Sequence, residues 1–453
     1  MLCSGPCAHL LLALLLIVAW QTSASTPSDE LLQQCFKWPE ADQHLAATVA
    51  EYKTGSAPRL QLHAIIRSDT AATTAAAAES SVQQHGLTLV TVFTSSRVDA
   101  LHAQCLSWPG PLVAALYVPV LHAQHGSPSD AIKLVLGEAK QTAHLLAKQS
   151  KGCQLTLLVL YEVVALQFLA GLIPINSLRN VAILATSTPL VAMVDVDLLL
   201  SASLGQELIT GADHELKLKQ LEETCASLRF VILPAFQTPR TKAESEGLLK
   251  TEMQLAQQAV QGDKAALRPL VAAEKLIPFA SQHFRIGHWR TNFPHWLTSD
   301  EQFATTFRPQ FEPWVIVPRL QSPLYDPRFR GYGRNKQQQV AHAMLARNFS
   351  LVVHPHAFLV HRPHVKSAAQ AGHDSVLGMM GKYAKAAGSS PSGSGQGLGE
   401  AAALSLAHVK LMDRLFYEGI RVSRTGKRLV VHDAAVEACL EMLPWWRGQT
   451  VLL

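Results

Sequence analysis

The chain has 453 residues, 48% of them apolar and 16% charged, which is enough for one large α/β domain with additions and excludes wholesale disorder. The formal charge of +5 is mild for this length and suits a protein that handles anionic small molecules. No run of Lys and Arg is interleaved with aromatics, so nucleic acid is set aside as a partner.

Taken in order, residues 1–25 read as a signal peptide or short signal anchor. The apolar stretch from Leu10 to Trp20 is shorter than the roughly 20 residues that cross a bilayer core. Ser23 and Ser25 after it fit a small-residue cleavage site. The expected address is the secretory pathway, the Golgi lumen first, with membrane contact only through that segment. Cys3 and Cys7 fall inside it. Cys35, Cys105, Cys153, Cys225 and Cys439 remain, an odd set that leaves at least one thiol unpaired or bonded to another chain. No CxxC pair points to structural zinc. Asn348-Phe349-Ser350 is an N-glycosylation sequon, consistent with a luminal protein.

Residues 26–85 are polar and alanine-rich and read as a stem or divergent N-terminal region. From Leu87 the pattern changes. Strands are expected at 87–93, 111–119 and 155–163, with a helix at 129–149 between the last two. Strands alternating with helices predict an α/β fold, a mostly parallel sheet flanked by helices. Asn176-Ser177 opens a further helix in which Leu178, Val181, Ala182 and Ala185 form one apolar face. Strands follow at 189–200 and 230–236, then a charged helix from about Thr241 to Val260. Another helix is expected from Asn335, its cap, with Val340 and Met344 inward, followed by strands in LVV and AFLV. Residues 371–400 read as a Gly/Ser-rich insertion and 401–453 as a helical C-terminal extension.

Asp195-Val196-Asp197 ends the apolar run that begins at Pro189. On an extended segment, carboxylates two positions apart point the same way. Setting them against an apolar strand is costly unless something positive compensates. A hard divalent cation does so, bridging protein to a substrate diphosphate and neutralising a leaving group. The bland alternative is a solvated strand end. The aromatics Trp289, Phe293, Trp296, Trp314, Tyr325 and Tyr332 are either sugar-stacking surfaces or core.

The segment IPINSLRNVAILATSTPLVAMVDVDLLLS resembles the donor-site region of the LARGE-like glycosyltransferases, family 49. FEPWVIVPRLQSPLYDPRFRGYGRNKQQQVAHAMLARNFSLVVHPHAFLVHRPH is similar to that family's acceptor-side block, and LTLVTVFTSSRVDALHAQCLSWPGPLVAALYVP to its opening strand and loop. The resemblance implies a GT-A-type nucleotide-diphospho-sugar transferase domain over 86–370. It also implies Mn²⁺, a UDP-sugar donor, a glycan or glycoprotein acceptor, and inversion at the anomeric carbon. A sugar such as glucuronic acid or xylose fits that family. By the same resemblance, Asp195, Asp197 and His361 are the metal ligands, with His354, His356 and His364 nearby. Thr94, Arg97, Arg179 and Asn180 are expected to hold the nucleotide diphosphate.

An inverting transfer needs one base for the acceptor hydroxyl. Asp326 is the first candidate and Glu312 the second. The family pattern at the first is closer to YDERF, and Pro327 stands here where that glutamate would be. This departure motivates a rival, a catalytically inactive relative that binds glycan or nucleotide sugar. A glycosidase is a third reading and would need a second acid about 5–10 Å away.

Overall fold

A computed structural model describes residues 26–38, 45–68, 86–122, 128–149, 153–239, 246–365, 400–427 and 433–446. The expected signal segment and the Gly/Ser insertion up to residue 399 lie outside the described residues.

In chain order the main elements are α1 (Pro27–Cys35), β1 (Gln61–Arg67), β2 (Leu87–Thr94), α2 (Val98–Leu106), β3 (Pro111–Leu121), α3 (Pro128–Gln149) and β4 (Gln154–Val164). Then come α4 (Ile175–Leu184), β5 (Leu190–Met193), β6 (Leu198–Leu200), α5 (His214–Ala226), β7 (Arg229–Leu233), β8 (Ala235–Gln237), α6 (Glu246–Ala259) and α7 (Lys264–Ala272). The last are β9 (Ile277–Pro278), β10 (Phe303–Thr305), β11 (Trp314–Pro318), α8 (Asn335–Ala346), β12 (Ser350–Val353), β13 (Leu359–His361), α9 (Glu400–Arg424) and α10 (Ala434–Met442).

Nine strands form one sheet in the order β1-β4-β3-β2-β5-β11-β7-β12-β10, and β6-β13-β8-β9 form a second. Strands β4, β3, β2 and β5 are mutually parallel, whereas β11 runs antiparallel to both β5 and β7. The expected mixed α/β architecture is therefore present. Strand β3 is buried on both faces, as a central parallel strand requires. Its alternate residues serve two layers. Leu112, Ala114 and Leu116 pack with Leu101 of α2 and Leu136 and Leu146 of α3. Val113, Ala115 and Tyr117 pack with Leu178, Val181 and Ala182 of α4, and with Leu32 and Val436 from the two ends of the chain.

Two features correct the sequence reading. Residues 26–85 are not simply a stem, because β1 pairs antiparallel with β4 at the sheet edge, Ile65 facing Leu158. Helix α1 is joined to α10 by the Cys35–Cys439 disulfide. A second disulfide, Cys105–Cys153, ties α2 to the start of β4, and among the described residues Cys225 is a buried free thiol. The run at 189–200 is also not one strand. It breaks at Asp195–Asp197 and passes from the large sheet into the small one. Strands β7 and β8 do the same across Pro234, as do β12 and β13 across residues 354–358. Three of the small sheet's four strands are thus continuations of strands that leave the large one.

Candidate functional site

The connections from β2 through β3 to β4 move the chain one way across the sheet, and β5 is then laid on the other side of β2. Between β2 and β5 the order reverses. In open α/β sheets, ligands bind outside the carboxyl ends of the strands at such a point. The residues there are Thr94 at the end of β2 and Arg97 after it, and Asp195 to Asp197 after β5.

The break after β5 is a turn closed by the Leu198 N–H donating to the Asp195 carbonyl at 3.0 Å. Gln104 of α2 pins it, its Nε2 donating to the carbonyls of Asp195 at 3.0 Å and Leu198 at 2.9 Å. A turn, unlike an extended segment, lets carboxylates two positions apart face different partners. They do. Asp195 receives Arg179 Nη2 at 3.1 Å, Trp314 Nε1 at 3.0 Å and Lys336 Nζ at 2.7 Å. Asp197 meets His364 Nε2 at 2.7 Å and His361 Nε2 at 3.7 Å. Burial alone would raise both carboxyls. Lys336 and Arg179 hold Asp195 below its ordinary value, and the two histidines hold Asp197 well below.

Among the described residues, Asp197, His361 and His364 are the group able to share one ion, with one donor atom each and all within 4.8 Å of one another. Side-chain exposures of 22% for Asp197 and His361 and 15% for His364 leave the group open to a ligand. A carboxylate oxygen with two imidazole nitrogens suits Mn²⁺ better than Mg²⁺, which prefers oxygen alone. Of the expected set, Asp197 and His361 come together with His364, whereas the Asp195 carboxylate bonds two cations and an indole. Strand pairing brings His361 there, since it lies opposite Leu198 in the β6–β13 register.

A second cluster adjoins the first. Lys336, at the start of α8, lies 3.9 Å from the Trp314 ring centroid, and His288 stacks on the same ring at 5.2 Å. Glu312 receives Gln337 Nε2 at 3.0 Å and has His288 Nε2 at 3.6 Å. Burial would raise the Glu312 carboxyl, but His288, Lys336 and Gln337 keep it below its ordinary value. It is therefore ionised at neutral pH. Phe279 contacts the rings of His288, Trp314 and His361, so one aromatic joins the two clusters.

The remaining candidates divide. Arg97 reaches the site's rim, donating to the Val365 carbonyl beside His364 at 3.0 Å. Thr94 hydrogen-bonds Ser96 at 3.0 Å in the turn after β2. Arg179 is buried and faces the site, but it is engaged by Asp195, Asn176 and Asn335. Asn180 does not face the site, because its amide is used up clamping the backbone of Tyr325, accepting and donating at 2.8 Å.

Asp326, the first candidate base, is buried and paired with its neighbour Arg328. Its buried carboxylate is held in a fork by Arg328, with Nε at 3.0 Å and Nη2 at 2.8 Å, and also accepts the Arg328 backbone N–H. Of the six aromatics, Phe293, Trp296, Trp314 and Tyr325 are buried, whereas Trp289 and Tyr332 are about half exposed. Sequence reasoning missed Lys336, His288 and Gln104. Lys336 had a signal, its place just inside the expected helix start at Asn335.

The family described as "Glycosyl-transferase for dystroglycan" matches residues 86–377. Mouse xylosyl- and glucuronyltransferase LARGE2 is 31% identical over 287 residues, 63% of this chain and 35% of that protein. The human LARGE2 protein is 31% identical over 285 residues, covering 62% of this chain and 33% of its own length. Mouse LARGE1 is 30% identical over 291 residues, 64% and 32% respectively. The match thus spans about a third of the length of these relatives.

Proposed function

Because the chain belongs to the glycosyltransferase family described for dystroglycan, we propose that it is a metal-dependent, inverting transferase. It moves a sugar of glucuronic acid or xylose type from a UDP donor to a glycan acceptor. The printed activities of the relatives motivate the choice of sugars. The observation that carries the proposal is the Asp197–His361–His364 group at the sheet's switch point, with an ionised Glu312 in the adjoining cluster.

Asp197, His361 and His364 would hold Mn²⁺, whose charge would neutralise the donor's diphosphate. Arg179 and Lys336 keep Asp195 ionised and fix the turn that aims Asp197. Glu312 takes the proton of the acceptor hydroxyl as its oxygen bonds to the anomeric carbon. The bond from that carbon to the phosphate oxygen breaks, and UDP leaves with the electron pair. Gln337 and His288 orient the Glu312 carboxylate for this step.

The test is UDP release from a panel of UDP-sugars with and without Mn²⁺, using wild type and Asp197→Ala. Turnover that needs both the ion and Asp197 is expected. No release from any donor would end the transferase reading. The inactive-relative reading keeps one supporting observation, the engagement of Asp195 by Lys336 and Arg179. Nucleotide binding without turnover would favour it.

We also infer a luminal location, in the Golgi first. The Cys35–Cys439 and Cys105–Cys153 disulfides support an oxidising compartment. Asn348 of the sequon is exposed, as an attached glycan requires.

A further inference from the structure

The β6–β13 ribbon has two ends. At one, Leu198 faces His361 beside the metal group. At the other, the Ser201 N–H donates to the Phe358 carbonyl at 2.9 Å and Ser201 Oγ accepts the Phe358 N–H at 3.0 Å. Just beyond that second end is a cavity of about 560 Å³. This lies within the roughly 300–1,000 Å³ of small-ligand sites. Four residues of extended chain separate Asp197 from Ser201, roughly 13 Å. The cavity is therefore outside the site described above.

Its walls are held firmly. Lys264 of α7 is buried, and its ammonium donates to the carbonyls of Ser299 and of Pro355, the latter at 3.0 Å, with the Trp296 ring 4.6 Å away. Three chain segments are stapled by one side chain. His354 Nδ1 accepts the backbone N–H groups of His356 at 3.2 Å and Ala357 at 3.0 Å, so its proton sits on Nε2, facing Glu207 at 3.7 Å. Residues 206–210 wind as a π turn, a form often found at functional sites. Gly211 closes it, donating to the Gln206 carbonyl at 2.7 Å, and a Cβ there would come within 2.4 Å of that oxygen.

The lining groups differ in how far they are committed. Asp263 caps α7 through the Ala266 N–H at 2.9 Å, and Asp300 accepts from Arg268 at 3.1 Å. In contrast, the side chains of Asp213, Lys217 and His356 make no hydrogen bond or ion pair among the described residues, and Glu207 has only the loose approach of His354. Among the lining groups, two carboxylates and two basic groups are thus left uncommitted. No Phe, Tyr or Trp among the described residues lines the cavity, which argues against an apolar ligand. The two carboxylates oppose a phosphate or other compact polyanion. A ligand with many hydroxyl donors and a single carboxylate matches both halves of the set.

We propose that this cavity is an exosite for an acidic saccharide, a uronate unit. Its carboxylate lies toward Lys217 and His356, and its hydroxyls donate to Glu207 and Asp213. The inference rests on the transferase reading above and deepens it, since the cavity would hold a remote unit of an acceptor chain.

Calorimetric titration of the full chain with an oligosaccharide containing glucuronate and xylose tests it. The same oligosaccharide with methyl-esterified uronates and UDP serve as controls. Wild type should bind the free-acid chain and lose about tenfold in affinity on esterification. Glu207→Gln and Lys217→Ala should each weaken the free-acid chain by about tenfold. Both should leave UDP binding unchanged, and Lys217→Ala should bind the two chains equally. No binding by wild type, variants that bind as wild type does, or a parallel loss of UDP binding would each overturn the exosite. Donor turnover is read separately. Saccharide binding that survives in a protein with no turnover removes the transferase reading and leaves the exosite standing.

Discussion

Asp195 and Asp197 are neighbours with different partners, and that difference is measurable. Asp197 offers an oxygen alongside two imidazoles, whereas Asp195 acts one layer back through Lys336 and Arg179. Asp197→Ala is expected to cut Mn²⁺ affinity by more than about 100-fold, and Asp195→Asn by about tenfold, as supporting groups do. Electron paramagnetic resonance titration of Mn²⁺ reads both, and the opposite ranking would reverse the assignment. For the base, Glu312→Gln should lower kcat by about 10²–10⁴ while UDP binding persists. Asp326→Asn should act through stability instead, because it leaves Arg328 without its buried partner, at a cost of about 3 kcal/mol. A chemical melt together with kcat per folded molecule separates the two effects. An acid pair after an apolar run is a local signal and singles out Asp195 and Asp197, whereas His361 is named only through the family resemblance. The engagement of Asp195 was not legible, since Lys336 lies 141 positions away and no local pattern links them. His288 and Gln104 were hidden for the same reason.

The interior strands and helices were readable because each carries its burial in its own residues. Strands β2, β3 and β4 are long β-branched and leucine-rich runs, and α4 carries Leu178, Val181 and Ala182 at helical spacing, although it is buried on every side. The break in 189–200 was not readable, because Val194, Val196 and Leu198 are all buried and keep the apolar character across the turn. What bends the chain there is Gln104, on another element. The edge strand β1 was missed because one short alternating segment sits in polar, alanine-rich surroundings. Its neighbour α1 depends on the Cys35–Cys439 bond, whose partners are 404 positions apart. Cys35→Ser should lower stability by about 4 kcal/mol, since the bond constrains a very long loop in the unfolded chain. Comparison of urea midpoints for the variant and wild type checks this, and an unchanged midpoint would show that α1 and α10 hold together by packing alone.

At the scale of the whole molecule, one buried imidazole sets part of the acid response. Burial, with His356, Lys217 and Lys264 nearby, pushes His354 down to about 3 from its ordinary 6.5. The unfolded chain therefore takes up this proton first. The stabilisation is complete above about pH 6.5 and is lost as pH falls toward 3, at about 1.4 kcal/mol per pH unit. Glu207, whose carboxyl burial raises, works in the opposite sense over the lower part of that range. His354→Asn keeps an acceptor for the His356 and Ala357 N–H groups and should flatten the slope. Urea midpoints measured across that range would show it, and an unaltered slope would remove His354 from the account. The bridge between residues 35 and 439 also makes most of the polypeptide a covalent ring. A protease that nicks this ring once cannot release a fragment until a reductant is added. Singly clipped material should migrate as one band without thiol and as two with it.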